Sequence, residues 1–266
     1  MYPLILQYEG CFGKMIDNIH KRILELASRV YNENRYVYTD FLNIAELSEF
    51  YEMRDAKHEF DFVKAEAFGG MEDCERCIVR FGDEELCGYE EEYPITLLEV
   101  KPVAAKFADD LSHRDYLGSV MGLGIEREKT GDIYILDNCG YIFVPDAIAD
   151  YIIANLEYVK HTKVKVRRCE KVPDGLMKHF TEEEIIVASE RADAVISAIY
   201  KLSRDASLEL FRGEKVYING RICTSNSKTL KDGDTVSVRG YGKFDYKGEC
   251  GTTRKSKLYV KIAVRR

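Results

Sequence analysis

A chain of 266 residues, 45% hydrophobic and of net charge −7, has apolar mass for two or three modest domains with ample core. No segment approaches ~18 uninterrupted apolar residues, which excludes a membrane-spanning helix. The opening Met1-Tyr-Pro-Leu-Ile-Leu-Gln-Tyr-Glu has neither the basic n-region nor the apolar length of a signal peptide, so a cytoplasmic protein is expected. Eight scattered cysteines (11, 74, 77, 87, 139, 169, 223, 250) suit reduced thiols better than a disulfide framework.

The expected class is α+β. Residues 1–90 read as a helical region with a short strand segment: Ile16, Ile19, Ile23, Leu26 and Val30 recur at helical spacing, and Thr39-Asp40 and then Asn43 resemble caps for a segment carrying Ile44, Leu47 and Phe50-Tyr51. Glu84, Glu85, Glu90, Glu91 and Glu92 read as a solvated acidic loop. Residues 91–172 read as a split βαβ domain of the RNA-recognition or ferredoxin type. The predicted order is strand Ile95–Val103, helix His113–Ile125, strands Ile133–Leu136 and Tyr141–Val144 around an Asp137-Asn138-Cys139-Gly140 turn, helix Ala147–Leu156 and strand Lys163–Val166. That topology serves many functions. Tyr134, Tyr141 and Phe143 offer rings for base stacking, but no Gly-Phe-Gly-Phe-Val consensus surrounds them, and core packing is the expected use. Gly118, Gly122 and Gly124 follow helical residues and not a strand, so they form no dinucleotide or P-loop signature; Gly122 and Gly124 are expected to end the helix. After Val172-Pro-Asp-Gly a linker is expected, with protease cleavage between about Glu170 and Ser189.

Residues 189–266 form the expected third domain. Ala192, Val195, Ile196 and Ile199 make one helical stripe, and Ser203 reads as the N-cap of a second short helix bearing Ser207, Leu210 and Phe211 and ending at Arg212-Gly213. The period then changes to 2 at Val216 and Ile218, followed by an Asn219-Gly220 hairpin turn and, after Asp232-Gly233-Asp234, a strand with Val236 and Val238 inward. From Arg191 to Arg266 there are 17 Lys and Arg against 8 Asp and Glu, a net +9, so the other 190 residues carry −7 − 9 = −16. A basic module on an acidic chain is the footprint of phosphate binding at one end only.

Helix, helix, Val-x-Ile-Asn-Gly and Gly-Asp-x-Val-x-Val, with Arg191-x-Asp193 and Ser203-Arg204, resemble the S-four-type RNA-binding domain over roughly Arg191 to Arg239. Thr39-Asp-Phe-Leu, Gly69-Gly70, Glu75-Arg76, the stretch His113 to Asp132, Ser237-Val-Arg-Gly-Tyr-Gly-Lys-Phe and Gly251-Thr-Thr-Arg-Lys-x-Lys extend the resemblance to nearly the whole chain, which is similar to the YlmH family. The resemblance implies a non-enzymatic protein that binds ribosomal RNA and tRNA on the large ribosomal subunit, in quality control beside peptidyl-tRNA while a stalled chain is tailed. An association with cell-division gene clusters is also implied. It places Arg191, Ser203, Arg204, Arg212, Lys215, Asn219, Arg221, Lys228 and Arg239 beside RNA, and the tail adds Lys243, Lys247, Arg254, Lys255 and Lys257. A secondary RNA contact is expected at His113, Arg114, Arg127 and Lys129. Arginine suits this role because its planar fork grips phosphate bidentately and stacks on bases. Leu208 and Glu209 stand where a more basic helix face would be expected.

An RNA-modifying enzyme, of the pseudouridine synthase or methyltransferase type, is the competing reading. The Gly-Arg-Leu-Asp context of the synthases is absent, as are the two signature loops of tyrosyl-tRNA synthetases. His20, His58, His113, His161 and His179 sit in no legible nucleophile–base arrangement. Cys74-x-x-Cys77 with Cys87 lacks a further ligand pair at zinc spacing, so neither metal nor cofactor is expected. The expected state is a monomer.

Overall fold

The computed structural model describes residues 4–176 and 180–265; His179 lies outside them. The chain divides into two compact units, residues 1–177 and 178–266.

The first unit begins with α1 (Leu4–Glu33), which buries Ile19, Ile23, Leu26 and Val30 in the spacing of the predicted stripe. Next come β1 (Val37–Tyr38), α2 (Ile44–Tyr51), β2 (Ala65–Phe68), β3 (Ile78–Phe81) and α3 (Glu84–Cys87). The strands form a small sheet in the order β1-β3-β2. Asn43 caps α2: its side-chain oxygen accepts from the Ala45 and Glu46 amides at 2.9 and 3.2 Å, and Glu46 accepts from the Asn43 amide in return. Thr39 has a different use from the expected cap, because its hydroxyl accepts from the Val79 amide. The acidic stretch is only partly a loop. Glu84 and Glu85 open α3, which Asp83 caps, while the Glu91 and Glu92 carbonyls accept from Arg80 and Tyr38.

The same unit continues with β4 (Ile95–Pro102), α4 (His113–Gly122), β5 (Ile133–Leu136), β6 (Cys139–Pro145), α5 (Asp146–Asn155), β7 (Tyr158–Val159) and β8 (Thr162–Cys169). The antiparallel sheet runs β5-β6-β4-β8-β7, the order of a split βαβ unit with one short added edge strand. The hairpin between β5 and β6 turns on Asp137 and Asn138 alone, both at positive φ, so Cys139 and Gly140 belong to β6. Leu98, Val100, Ile142, Val144, Val164 and Val166 face α4 and α5. The opposite face carries Leu97, Tyr141 and Phe143, and over this part the N-terminal region covers it with Phe41 and Ile78. Tyr134, Tyr141 and Phe143 are therefore core, and the central strands present no open stacking platform.

The second unit contains β9 (Phe180–Val187), α6 (Ala192–Tyr200), α7 (Arg204–Arg212), β10 (Val216–Ile218), β11 (Arg221–Ile222), β12 (Thr235–Val238), β13 (Gly242–Thr252) and β14 (Leu258–Arg265). These six strands lie in the order β11-β10-β12-β13-β14-β9. Val195, Ile196, Leu210 and Phe211 pack with Val216, Val236, Phe244, Val260 and Ile262 in one core. Ser203 caps α7, accepting from the Ala206 amide. At the other end Gly213 has φ −86°, and the left-handed residue is Glu214 (φ 51°). The stretch expected to be a linker contains a full strand: β9 pairs with β14 from Phe180 to Val187. Glu182, Glu183 and Glu184 hid it, because three successive carboxylates break period-2 apolar alternation.

Candidate nucleic-acid interface

Register places one set of loops at a common end of the second sheet. β9 ends at Val187, opposite Leu258 where β14 begins, and Thr235 at the start of β12 pairs with Asp245 on the side of β13 that leads into the β13–β14 hairpin. The Asn219-Gly220 turn, the Lys231–Asp234 turn, the segment Ser189–Arg191 and the hairpin carrying Arg254, Lys255 and Lys257 therefore share that end.

Hydrogen bonds draw part of it together around the first turn of α6. The Ala192 amide donates to the Lys228 carbonyl (2.8 Å), the Asp193 amide to the Asn226 carbonyl (3.2 Å), and the Leu230 amide to the Glu190 carbonyl (2.9 Å). The Tyr246 hydroxyl donates to Glu190 at 2.7 Å. From α7, the buried Ser207 hydroxyl donates to the Asp193 carbonyl at 3.2 Å. Arg204 stands one turn before Ser207 on the same helix face. The start of α6 thus holds Arg191, Lys228 and the α7 turn bearing Arg204 in one neighbourhood.

These cations are not equivalent. Arg191 is clamped to Asp193 by two bonds, Nε to Oδ1 at 3.0 Å and Nη2 to Oδ2 at 2.7 Å, and Asn226 donates to the same carboxylate at 2.9 Å. Burial pushes the Asp193 carboxyl up, but the Arg191 and Asn226 bonds together outweigh it and hold the group below its ordinary value. Arg191 is consequently a brace with 39% of its side chain exposed. Arg204 and Lys228 are exposed and carry no ion pair with any described residue. The Ala192 and Asp193 amides at the start of α6 are occupied by the carbonyls of Lys228 and Asn226 and are not available to an anion.

Among the remaining residues, Ser203 is spent on capping α7, and Arg212 pairs with Glu209 at 2.5 Å. Asn219, at φ 53°, fastens its turn to β12 by donating to Asp234 and accepting from the Thr235 amide. Lys215 and Arg239 adjoin each other through the bond from the Arg239 amide to the Lys215 carbonyl, at the end of the sheet opposite Asn219. Lys243 lies on β13 near that same end, beside Ser237. Arg221 lies on β11 beside the Asn219 turn. Arg254, Lys255 and Lys257 are exposed on the hairpin, and Lys247 is exposed on β13.

The secondary residues separate in the same way. His113 and Arg114 are exposed on the first turn of α4. Arg127 instead donates to the carbonyls of Thr130 and Gly131, and burial pulls it down to about 10; Lys129 pairs with Asp40 at 2.5 Å. Both fasten the covered side of the split βαβ sheet. The other motif residues meet there too. Arg76 donates to the carbonyls of Phe41, Thr130 and Arg127, the Glu75 amide donates to Asp132 at 2.6 Å, and Gly70 lies so close to Phe143 that a Cβ would stand 2.3 Å from its ring. Beside them burial pushes Cys74 up to about 12 and raises Asp132 and Tyr134 as well. These displaced groups line no part of the nearby cavity of about 280 Å³, whose walls include Arg22, Thr39, Asp40, Phe41, Glu46 and Glu128. Among the described residues no three His, Cys, Asp or Glu side chains converge as metal ligands.

The fold is of the α+β class, with a split βαβ sheet in the first unit and a basic helix-and-sheet unit after it. Residues 89–172 match the family model described as "Putative RNA-binding domain in YlmH". The chain is 28% identical over 193 residues, 72% of its length and 74% of the relative's, to the ribosome-associated protein quality control protein P2 of Bacillus subtilis. The structure of the cell division protein ylmH from Streptococcus pneumoniae aligns with TM-score 0.46 and 20% identity, covering 59% of this chain and 94% of that one. The chain is thus similar to the YlmH family, by the family model over residues 89–172 and by the Bacillus relative over most of its length.

Proposed function

We propose that this chain is a non-enzymatic RNA-binding protein of the cytoplasm. It acts on the large ribosomal subunit in quality control, holding structured ribosomal RNA and tRNA so that peptidyl-tRNA stays in place while a stalled chain is tailed. Its second unit, read as an S-four-type domain, makes the main contact through the end built on the first turn of α6. The observation that carries this reading is the set of bonds that ties Lys228 and the α7 turn bearing Arg204 to the first turn of α6 beside the braced Arg191, with Arg204 and Lys228 exposed and in no ion pair with any described residue. Cations arranged in this way on folded loops recognise phosphate and shape more than base identity. The name of the Bacillus relative supports the ribosomal setting. The test is co-sedimentation of the full chain with large ribosomal subunits, comparing the natural sequence with Arg204→Glu/Lys228→Glu. The double variant is expected to leave the subunit fraction while keeping its amide-exchange pattern. Undiminished co-sedimentation would overturn the assignment.

A further inference from the structure

The uncovered part of the split βαβ sheet has a chemistry of its own. Along β8, Val164 and Val166 point to the helices, and Lys163, Lys165 and Arg167 stand exposed on the opposite face. Alternate residues on a strand are separated by twice the ~3.3 Å rise, about 6.6 Å, comparable to the spacing of phosphates along an extended strand. Lys101 on β4 pairs in register with Lys165, and Tyr158 on β7 pairs with Lys163, so both share that face. Glu99, on the same face, forms an ion pair with Arg167, accepts from the Tyr141 hydroxyl and feels the Lys101 charge without pairing with it. Lys101, Lys163 and Lys165 carry no ion pair with any described residue.

Like charges directly opposite each other destabilise a sheet, and Lys101 facing Lys165 is such a pair. The stripe is also a basic island on an acidic background: Tyr158 to Lys171 holds six Lys and Arg against one Glu, within a segment 1–190 of net charge −16. Aromatic rings flank it. Tyr158 is 51% exposed. The Val103 amide donates to the Lys163 carbonyl at 2.9 Å, which brings the turn Ala105–Phe107 alongside, and Phe107 is 84% exposed.

We infer that Lys101, Lys163, Lys165 and Arg167, with Tyr158 and Phe107, form a second RNA-binding surface that takes a single strand of RNA. The row of point charges follows the phosphates of one strand, and the two rings stack on unpaired bases, the combination that binds single strands without base readout. The covered central strands account for the position of this surface on β8 and the short edge strand β7. This inference rests on the RNA-binding reading and adds to it the face, the residues and the form of the RNA.

The experiment uses the full chain and labelled oligouridylate, with Arg204→Glu/Lys228→Glu as background so that the other surface is silenced. In that background Lys163→Glu/Lys165→Glu is expected to weaken oligouridylate binding at least tenfold. The milder Lys163→Gln/Lys165→Gln should lower the salt slope by about 1.4, at ~0.7 per lost single-strand phosphate contact. Ultraviolet cross-linking should mark Tyr158 or Phe107. Equal binding with and without the β8 lysines would overturn this surface and leave the RNA-binding reading standing. If the natural chain bound neither oligouridylate nor ribosomal RNA, that reading would fall instead. Displacement of the RNA by polyglutamate at equal charge concentration would show a site for acidic peptide and overturn the inference.

Discussion

Arg191 and Arg204 both sit at the candidate interface, yet substituting them should have opposite signatures. Arg191 makes two bonds to Asp193, a residue only 7% exposed that also accepts from Asn226. Removing one partner of a fully buried pair costs about 3–5 kcal/mol, whereas an exposed pair is worth about 0.2–1 kcal/mol. With 39% of the Arg191 side chain exposed, Arg191→Ala falls between these limits, at about 2 kcal/mol, and Arg191→Glu costs more because it sets a second carboxylate against Asp193. Arg204→Glu is a surface change of within about 0.5 kcal/mol, and an acidic residue in the first turn of α7 suits the helix dipole. Its cost should appear in RNA binding, at about 1.5–3 kcal/mol for one charge-assisted contact, or roughly tenfold to a hundredfold. Amide exchange of α6 and α7 under urea reads stability within the full chain, and filter binding reads affinity. The reasoning is refuted if Arg191→Ala leaves exchange unchanged while binding is lost, or if Arg204→Glu loosens the helices.

Other outcomes follow from the first unit and the boundary. Gly70→Ala should destabilise the first unit by at least about 2 kcal/mol, because its φ of 105° strains an L-residue and its Cβ would meet the Phe143 ring; a urea midpoint within error of the natural chain would contradict this. Asp115 is held down to about 2, chiefly by the Ser112 hydroxyl and then by Lys160, below an ordinary value of about 3.9. Its stabilising contribution is therefore present above about pH 4 and lost as pH falls towards 2. Asp115→Asn should remove that part of the acid sensitivity, which urea midpoints across this range would reveal. Limited proteolysis should cut between Glu170 and residue 179 and spare Phe180–Val187, since β9 is paired along β14; early cuts inside β9 would contradict the sheet order.

Much of this architecture is legible where one period dominates. The split βαβ elements appear in the sequence to within a few residues because their apolar positions alternate or recur without interruption, and Ser203, Asn43 and Asn219-Gly220 mark caps and a turn by local chemistry alone. β9 is obscured by its three glutamates, while β14 does alternate, at Leu258, Val260, Ile262 and Val264, within a tail otherwise marked by lysine and glycine. The site is legible in its residue types more than in their roles. The spacing Arg191-x-Asp193 puts the two charges within reach, but Asn226, which helps to hold the Asp193 carboxylate, stands 33 residues beyond it and no local pattern announces it. Arg127 and Lys129 look like free cations until Thr130, Gly131 and Asp40 fold around them. The β8 stripe had a signal in Lys163-Val-Lys-Val-Arg, a strand alternating charge with valine.

The central claim is that RNA meets the end of the second unit built on the first turn of α6. Ultraviolet cross-linking of the full chain to RNA in cells, with adducts mapped by mass spectrometry, addresses it directly. Adducts are predicted between Arg191 and Lys231 and on the hairpin carrying Arg254, Lys255 and Lys257. Cross-linked RNA with no adduct anywhere in residues 180–265 would contradict the account.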